Sequence, residues 1–253
     1  MNLAIVQARY ASQRLPGKVM KKVLGRPLVG YIFERLKFSE HIDKIILATS
    51  NNAENDQLAD YIRSINFDVF RGDEKDVLKR FYEAAKYYKA KNIIRITGDC
   101  PLIDVTLCDK LIALYLNKKV SLAYTDESIA EGLDCEVFSF SALEKCFYQA
   151  ELISEREHVT LYMYNHPEQF QQISLSGNGE DQQYRLTVDE EVDFQVVEEI
   201  IKHFFQIKKD LKFSFNDIKQ FLREHPPLLN KNGGVIRNEG LLKSLRDDYK
   251  VVK

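Results

Sequence analysis

Through roughly its first 118 residues the chain alternates short apolar runs with segments of helical spacing, and no other feature constrains the fold as tightly. Leu3-Ala4-Ile5-Val6 and residues 43–49, 67–70 and 92–96 read as strands. Residues 28–36, 53–62, 77–88 and 105–116 read as helices, the second capped by Asn51 or Asn52. In the third, Val77, Phe81, Ala84, Ala85 and Tyr88 share one face. This alternation predicts an α/β fold, a Rossmann-like parallel sheet with helices on both faces. Such sheets take ligands beyond the carboxyl ends of their strands.

The second half changes character. Residues 120–124, 135–138, 170–173 and 184–187 read as strands in mixed or antiparallel pairing, with helices over 141–148 and 154–164. A long helix covers 192–205 and a shorter one 217–223, stopped by Pro226-Pro227. The expected organisation is one domain over 1–229, with a nucleotide-binding half to about 118 and an acceptor half from about 119. The polar tail, 230–253, is either a flap or a mobile end.

Composition narrows the function classes. A net charge of −2 gives no global attraction to nucleic acid or to an anionic membrane, so any anion site must be local. No apolar run approaches the roughly 18 residues of a membrane helix, and the N-terminus lacks the pattern of a signal peptide. Cys100, Cys108, Cys135 and Cys146 have no CxxC spacing, which fits reduced, buried thiols in a cytoplasmic protein.

The local anion site is the loop after the first strand. Ala8-Arg9-Tyr10-Ala11-Ser12-Gln13-Arg14-Leu15-Pro16-Gly17-Lys18 gathers Arg9, Arg14 and Lys18 around a Pro-Gly turn. Cations so placed repel one another unless an anion sits among them, and a triphosphate meets their chemistry, with Ser12 and loop N–H groups as further donors. A solvated, solvent-facing turn is the alternative. Against it, Thr49-Ser50-Asn51 and Arg95-Ile96-Thr97-Gly98-Asp99 close two other strands at the same sheet edge.

Asp99, between Gly98 and Cys100-Pro101, suits Mg²⁺, which takes one or two carboxylates plus substrate phosphates. Its alternative role, capping the next helix, fits Asp104 better. Asp189 is either the second metal carboxylate or the N-cap of the long helix. Asp134 and Glu136 share one strand face and can bind sugar hydroxyls or an amine; Arg156 and His158, with Glu157 between them, offer charge to an acidic substrate. Walker, GxGxxG and GxSxG motifs are absent.

The loop Ala8-Arg9 to Lys18 resembles the signature of sugar nucleotidyltransferases, in the cytidylyltransferase version shared with CMP-KDO and CMP-sialate synthetases. Arg71-Gly72-Asp73-Glu74-Lys75-Asp76, Gly98-Asp99-Cys100-Pro101, Gly132-Leu133-Asp134-Cys135-Glu136, Arg156-Glu157-His158-Val159 and Arg185-Leu186-Thr187-Val188-Asp189 are similar to the SpsF-type branch, the spore-coat polysaccharide cytidylyltransferases. So is Arg237-Asn238-Glu239-Gly240-Leu241-Leu242 near the end. The resemblance spans nearly the whole chain. It implies a GT-A-like nucleotide-diphosphosugar transferase fold, and attack by an acidic acceptor on the α-phosphate of CTP with release of pyrophosphate.

By the same resemblance Arg9, Arg14 and Lys18 hold the triphosphate, Ala8, Ser50 and Asp76 surround the nucleotide, and Asp99 and Asp189 hold Mg²⁺. Ser12, Asn51, Arg95, Thr97 and Gly98 join the nucleotide set; Asp134, Glu136, Arg156, Glu157 and His158 form the acceptor set. A homodimer is the family-level expectation. Glu131 stands before Gly132 where the branch commonly has Asp, a departure on the acceptor side. A glycosyltransferase on the same fold would need Asp-x-Asp after the strand, and Asp99-Cys100-Pro101 lacks the second Asp. A nucleotidyltransferase for another NTP remains the other alternative.

Overall fold

A computed structural model describes residues 1–12, 14–209 and 211–250; Gln13 of the basic loop, Asp210 and the last three residues lie outside it. The strands in chain order are β1 (Asn2–Gln7), β2 (Lys22–Val23), β3 (Arg26–Pro27), β4 (Lys44–Ser50), β5 (Asp68–Gly72), β6 (Asn92–Thr97), β7 (Leu122–Thr125), β8 (Glu136–Ser139) and β9 (Gln172–Leu175). The helices are α1 (Leu28–Leu36), α2 (Asp56–Ser64), α3 (Val77–Tyr87), α4 (Val105–Lys118), α5 (Phe140–Gln149), α6 (Ile153–Glu157), α7 (Leu161–Asn165), α8 (Glu191–Lys208), α9 (Phe215–Glu224), α10 (Pro226–Leu229) and α11 (Glu239–Arg246).

Seven strands form one sheet in the order β5-β4-β1-β6-β8-β7-β9. The β5-β4-β1-β6 block is parallel. β8 pairs antiparallel with β6 and with β7, and β9 runs parallel to β7. One continuous sheet therefore joins the two halves. The chain steps outward from β1 to β4 and β5, then returns to the other side of β1 for β6. That reversal opens a crevice beyond the carboxyl ends of β1 and β6.

Burial explains the apolar run of β1. Leu3 and Ile5 face Leu78 and Phe81 of α3, while Ala4 and Val6 face Ile32 and Phe33 of α1 and Leu111 and Ile112 of α4. Both faces are covered, so the run need not alternate with polar residues. A third core packs α8 and α9 against Leu102, Tyr184, Leu186 and Val188. The Asp104 side chain caps α4 by accepting from Leu107 N at 3.1 Å. All four cysteines are buried and free. Among the described residues no helix is long and apolar enough to cross a membrane.

Several elements depart from expectation. Residues 184–187 are extended but join no sheet; the segment's one isolated bridge among the described residues pairs Arg185 with Glu131. Tyr184 and Leu186 point into the third core and Arg185 is held by carboxylates, so the segment serves as packing between layers. The stretch 53–62 begins with a 3-10 turn before α2, and neither asparagine caps it with its side chain. The helix expected over 154–164 breaks into α6 and α7, because Val159 adopts φ 50°, a left-handed value that a β-branched residue cannot hold within a helix. The helix expected over 217–223 does stop before Pro226-Pro227, at Glu224, and the two prolines open the short α10 after a non-helical His225. The tail is a flap: Ile153 N donates to Tyr249 O at 3.0 Å, and Asp248 accepts from Ser154 N and Oγ at 3.1 and 2.6 Å.

Candidate active site

Two strand-end loops meet at the crevice because residue 98 has no side chain. A Cβ there would lie 2.5 Å from Ala8 Cβ and 2.9 Å from Gln7 O. Gly98 N instead donates to Gln7 O at 2.8 Å, which carries Asp99 to the edge of the basic loop. In that loop Gly17, at φ 69°, donates to Tyr10 O at 3.0 Å and turns the chain so that Lys18 faces inward.

Lys18 is the centre of the arrangement. Its Nζ donates to Asp99 Oδ2 at 2.9 Å and to Asp189 Oδ1 at 2.8 Å. The two carboxylates, far apart in sequence, thus meet at one point. Lys18 is not solvent-facing, since its side chain keeps 12% of its exposure. Burial alone would lower the ammonium's pKa, but the two aspartates outweigh it and raise the value above the ordinary one. Burial likewise works against ionised Asp99, yet Lys18 overcomes it and, with Thr97, brings the carboxyl down to about 2.

Asp189 is no helix cap. It precedes α8, whose first turn is closed by Asp193, with Oδ2 accepting from Asp189 N and Glu190 N at 3.0 Å each. Its side chain is left to meet cations: Lys18, Arg14 Nη2 at 2.9 Å and Arg185 Nη2 at 3.0 Å. Arg185 is in turn fixed by Asp193 at 2.9 Å and by Glu131. Arg14 also reaches Glu239 of α11 at 2.8 Å, so the flap touches the loop that was expected to hold phosphate.

The bridge stands in the wall between two cavities. One, of about 570 Å³, is lined by Ala8, Arg9, Ser12, Arg14, Lys18, Gly98 and, from α3, Val77 and Arg80. The other, of about 860 Å³, is lined by Arg95, Thr97, Asp134, Glu136, His158 and Tyr164, with Arg237 from the tail. Asp99, Asp189, Arg14 and Glu239 border both. Glu136 is engaged by Arg95 at 2.6 Å and by Thr160 Oγ1 and Tyr164 Oη at 2.8 and 2.7 Å. Burial raises the Asp134 carboxyl pKa, with Gly132 N and Arg237 acting the other way. Burial, then Arg95, lowers that of the His158 imidazole, favouring its neutral form.

Other residues expected in the site are placed elsewhere. Arg95 and Thr97 line the second cavity, not the loop-side one. Ser50 is buried and accepts from Asn55 Nδ2 at 2.8 Å, and Asn51 is exposed with its N–H on Gly72 O. Asp76 caps α3 and is gripped by Arg156, whose guanidinium also donates to Phe147 O at 2.7 Å. Neither Asp76 nor Arg156 lines either cavity, because each satisfies the other's charge. Glu157 lies in the loop-side cavity, apart from the acceptor set, and accepts from Ser244 Oγ at 2.8 Å. Sequence reasoning passed over Arg80, Arg185, Arg237 and Glu239; the last three lie within quoted motifs, while Arg80 is one arginine on an amphipathic helix and gave no signal.

Two hard oxygen donors converging on one cation fit Mg²⁺, which usually keeps few protein ligands. Among the described residues no cluster of three or more His, Cys, Asp or Glu surrounds that point, so further ligands would be phosphate oxygens or water.

A mostly parallel α/β sheet with a cationic loop and paired carboxylates at its switch point defines a nucleotide-handling α/β enzyme. The chain belongs to the cytidylyltransferase family, whose sequence profile matches residues 3–233, and is a nucleotidyltransferase. It is 39% identical to the uncharacterized protein MJ1063 of Methanocaldococcus jannaschii, over 92% of this chain and 95% of that one. It is 31% identical to the spore coat polysaccharide biosynthesis protein SpsF of Bacillus subtilis, over 77% and 84% respectively. A solved structure of a cytidylyltransferase from Leptospira borgpetersenii superposes with a TM-score of 0.86 at 30% identity, covering 93% of this chain and 99% of the other.

Proposed function

We propose that the protein transfers CMP from CTP to a small acidic acceptor (a sugar acid, a sugar phosphate or a small phosphate or phosphonate), releasing pyrophosphate, in surface polysaccharide or glycoconjugate biosynthesis. The observation that carries this is Lys18 Nζ bridging Asp99 and Asp189 in the wall common to two cavities. The loop-side cavity has the cations for a triphosphate. The other has Arg14, Arg95 and Arg237 for an acidic group and carboxylates for hydroxyls. The kinship with SpsF supports the polysaccharide role, and four free thiols suit a reducing cytoplasm.

In-line displacement at phosphorus needs positioning and charge neutralisation more than a protein nucleophile. Cys100, beside Asp99, is a poor candidate for one: burial, reinforced by Asp99, raises its thiol pKa well above the ordinary value. Asp99 and Asp189 would hold Mg²⁺, which when bound neutralises phosphate charge. Lys18 and Arg14, now on Asp189, would transfer to phosphate oxygens, and Lys18 would stabilise the departing pyrophosphate.

The test is pyrophosphate release with each of the four NTPs, with Mg²⁺ or EDTA, against a panel of sugar acids and phosphate esters. Release that requires CTP, Mg²⁺ and one acceptor class is the expected result. Release supported only by a purine nucleotide would overturn the CTP reading, and undiminished turnover in EDTA would remove the metal.

A further inference from the structure

Arg80 is among the largest fully buried side chains in the molecule, with 1% of its surface exposed. Room for it comes from Gly72, where a Cβ would meet Arg80 Cγ at 3.0 Å. A buried guanidinium is costly unless its charge and N–H groups are met. Here Nη1 donates only to backbone carbonyls, Asp73 O at 2.5 Å and Glu74 O at 3.5 Å. Among the described residues no carboxylate forms an ion pair with it, although Glu74, Asp73 and Asp76 lie near enough to favour its charge, and Nε has no hydrogen-bond partner. Burial lowers its pKa to about 10. Yet Arg80 lines the loop-side cavity, together with Val77 one turn earlier on α3. An under-satisfied cation in a cavity wall calls for an acceptor from outside the chain.

Its place in the fold indicates which part of a nucleotide would supply that acceptor. Helix α3 packs on β4 and β5, on one side of β1; Asp99 follows β6, on the other. The cavity thus runs from the reacting phosphate, at Lys18 and Asp99, across β1 to Arg80. We infer that Arg80 reads the pyrimidine base and sets the preference for CTP over UTP, an inference that rests on the CTP reading above. With Nη1 on the carbonyls, the donors left over are Nη2 and the buried, unpartnered Nε, two parallel donors in a fixed fork that a base seated against this side chain would engage. Cytosine presents two adjacent acceptors, O2 and N3. Uracil presents O2 beside an N3–H donor, which would face a donor of Arg80 and leave it unpaired.

Calorimetric titration of the full chain with CTP, UTP and 3-deaza-CTP in Mg²⁺ tests this, on the wild type, Arg80→Lys and Arg80→Gln. The wild type should bind CTP at least tenfold tighter than UTP, and 3-deaza-CTP, which lacks the N3 acceptor, at least tenfold weaker than CTP. In the variants CTP should weaken about 10- to 100-fold while UTP changes little, as loss of a charged hydrogen bond implies. A folded variant that keeps the wild-type CTP to UTP ratio overturns the inference, and so does an equal loss for both nucleotides, which would place Arg80 on the phosphates. Should neither variant fold, wild-type binding of 3-deaza-CTP as tight as CTP overturns it alone. A wild type that binds neither pyrimidine nucleotide refutes the CTP reading itself, a result separate from failure of the variants.

Discussion

The two cavities on either side of the Lys18 bridge are built in different ways. The loop-side cavity rests on the parallel block of the sheet, and much of its chemistry comes from one contiguous loop, residues 8–18. The second is assembled from β6, the start of β8 and the break between α6 and α7, and the tail helps to close both. Its carboxylates, Glu131, Asp134 and Glu136, each face an arginine from a distant segment. A triphosphate is the same object in every enzyme that uses it, and a short loop of cations meets it. On the reading proposed above, the acceptor is the part that varies, and it would meet walls drawn from several remote segments.

If the bridge is the reacting centre that both cavities serve, its carboxylates should show the largest effects. Asp99→Asn and Asp189→Asn should each lower kcat by about 10²–10⁴ and raise the Mg²⁺ requirement, with the double variant little worse than the poorer single one. Additive losses, measured by pyrophosphate release, would mean that the two carboxylates work separately.

Next in size is Lys18→Ala. We expect kcat to fall about 10²–10³. Because Lys18 is mostly buried between two carboxylates, stability should also fall, by about 1–3 kcal/mol in denaturant unfolding, contrary to what a solvent-facing cation would give. Near-normal turnover in a folded variant would remove Lys18 from the mechanism.

The bridge should also leave a pH signature. The Asp99 carboxyl is depressed from 3.8 to about 2 on folding, so its contribution to stability is full above the unfolded value and is lost as pH falls toward 2. The Tm gap between wild type and Asp99→Asn should therefore shrink between about pH 5 and pH 2. The raised pKa of Lys18 acts in the opposite sense: its contribution is full below 10.5 and is lost as pH rises beyond the folded value. A Tm gap independent of pH through the acid range would show that the ion pair adds nothing.

The smallest effect concerns the flap. Glu239 holds Arg14 at the border of both cavities, where a phosphate or an acidic acceptor would compete for it. Both partners are partly exposed, so the ion pair is worth little, and Glu239→Gln should tighten CTP binding by only about two- to fivefold. Weaker CTP binding in that variant would show that the flap assists binding instead of competing with it.

Much of the loop-side half was legible in the sequence, because its elements are local. Apolar runs of strand length, helices with one apolar face and the Asp104 cap follow from spacing and backbone chemistry over a few residues, and so does the clustering of Arg9, Arg14 and Lys18. What only the tertiary structure decided are the pairings between remote charges. Asp189 could be a cap or a site residue until Asp193 was seen to cap α8 and Lys18 to face Asp189. Asp76 and Arg156, both expected at ligands, neutralise each other. The tail could lie free or folded until Asp248 was seen on Ser154 and Glu239 on Arg14. A charged side chain takes the strongest partner within a few ångströms, wherever that partner lies in the chain. Secondary structure depends on neighbours a few residues away, whereas that choice of partner depends on how the layers pack.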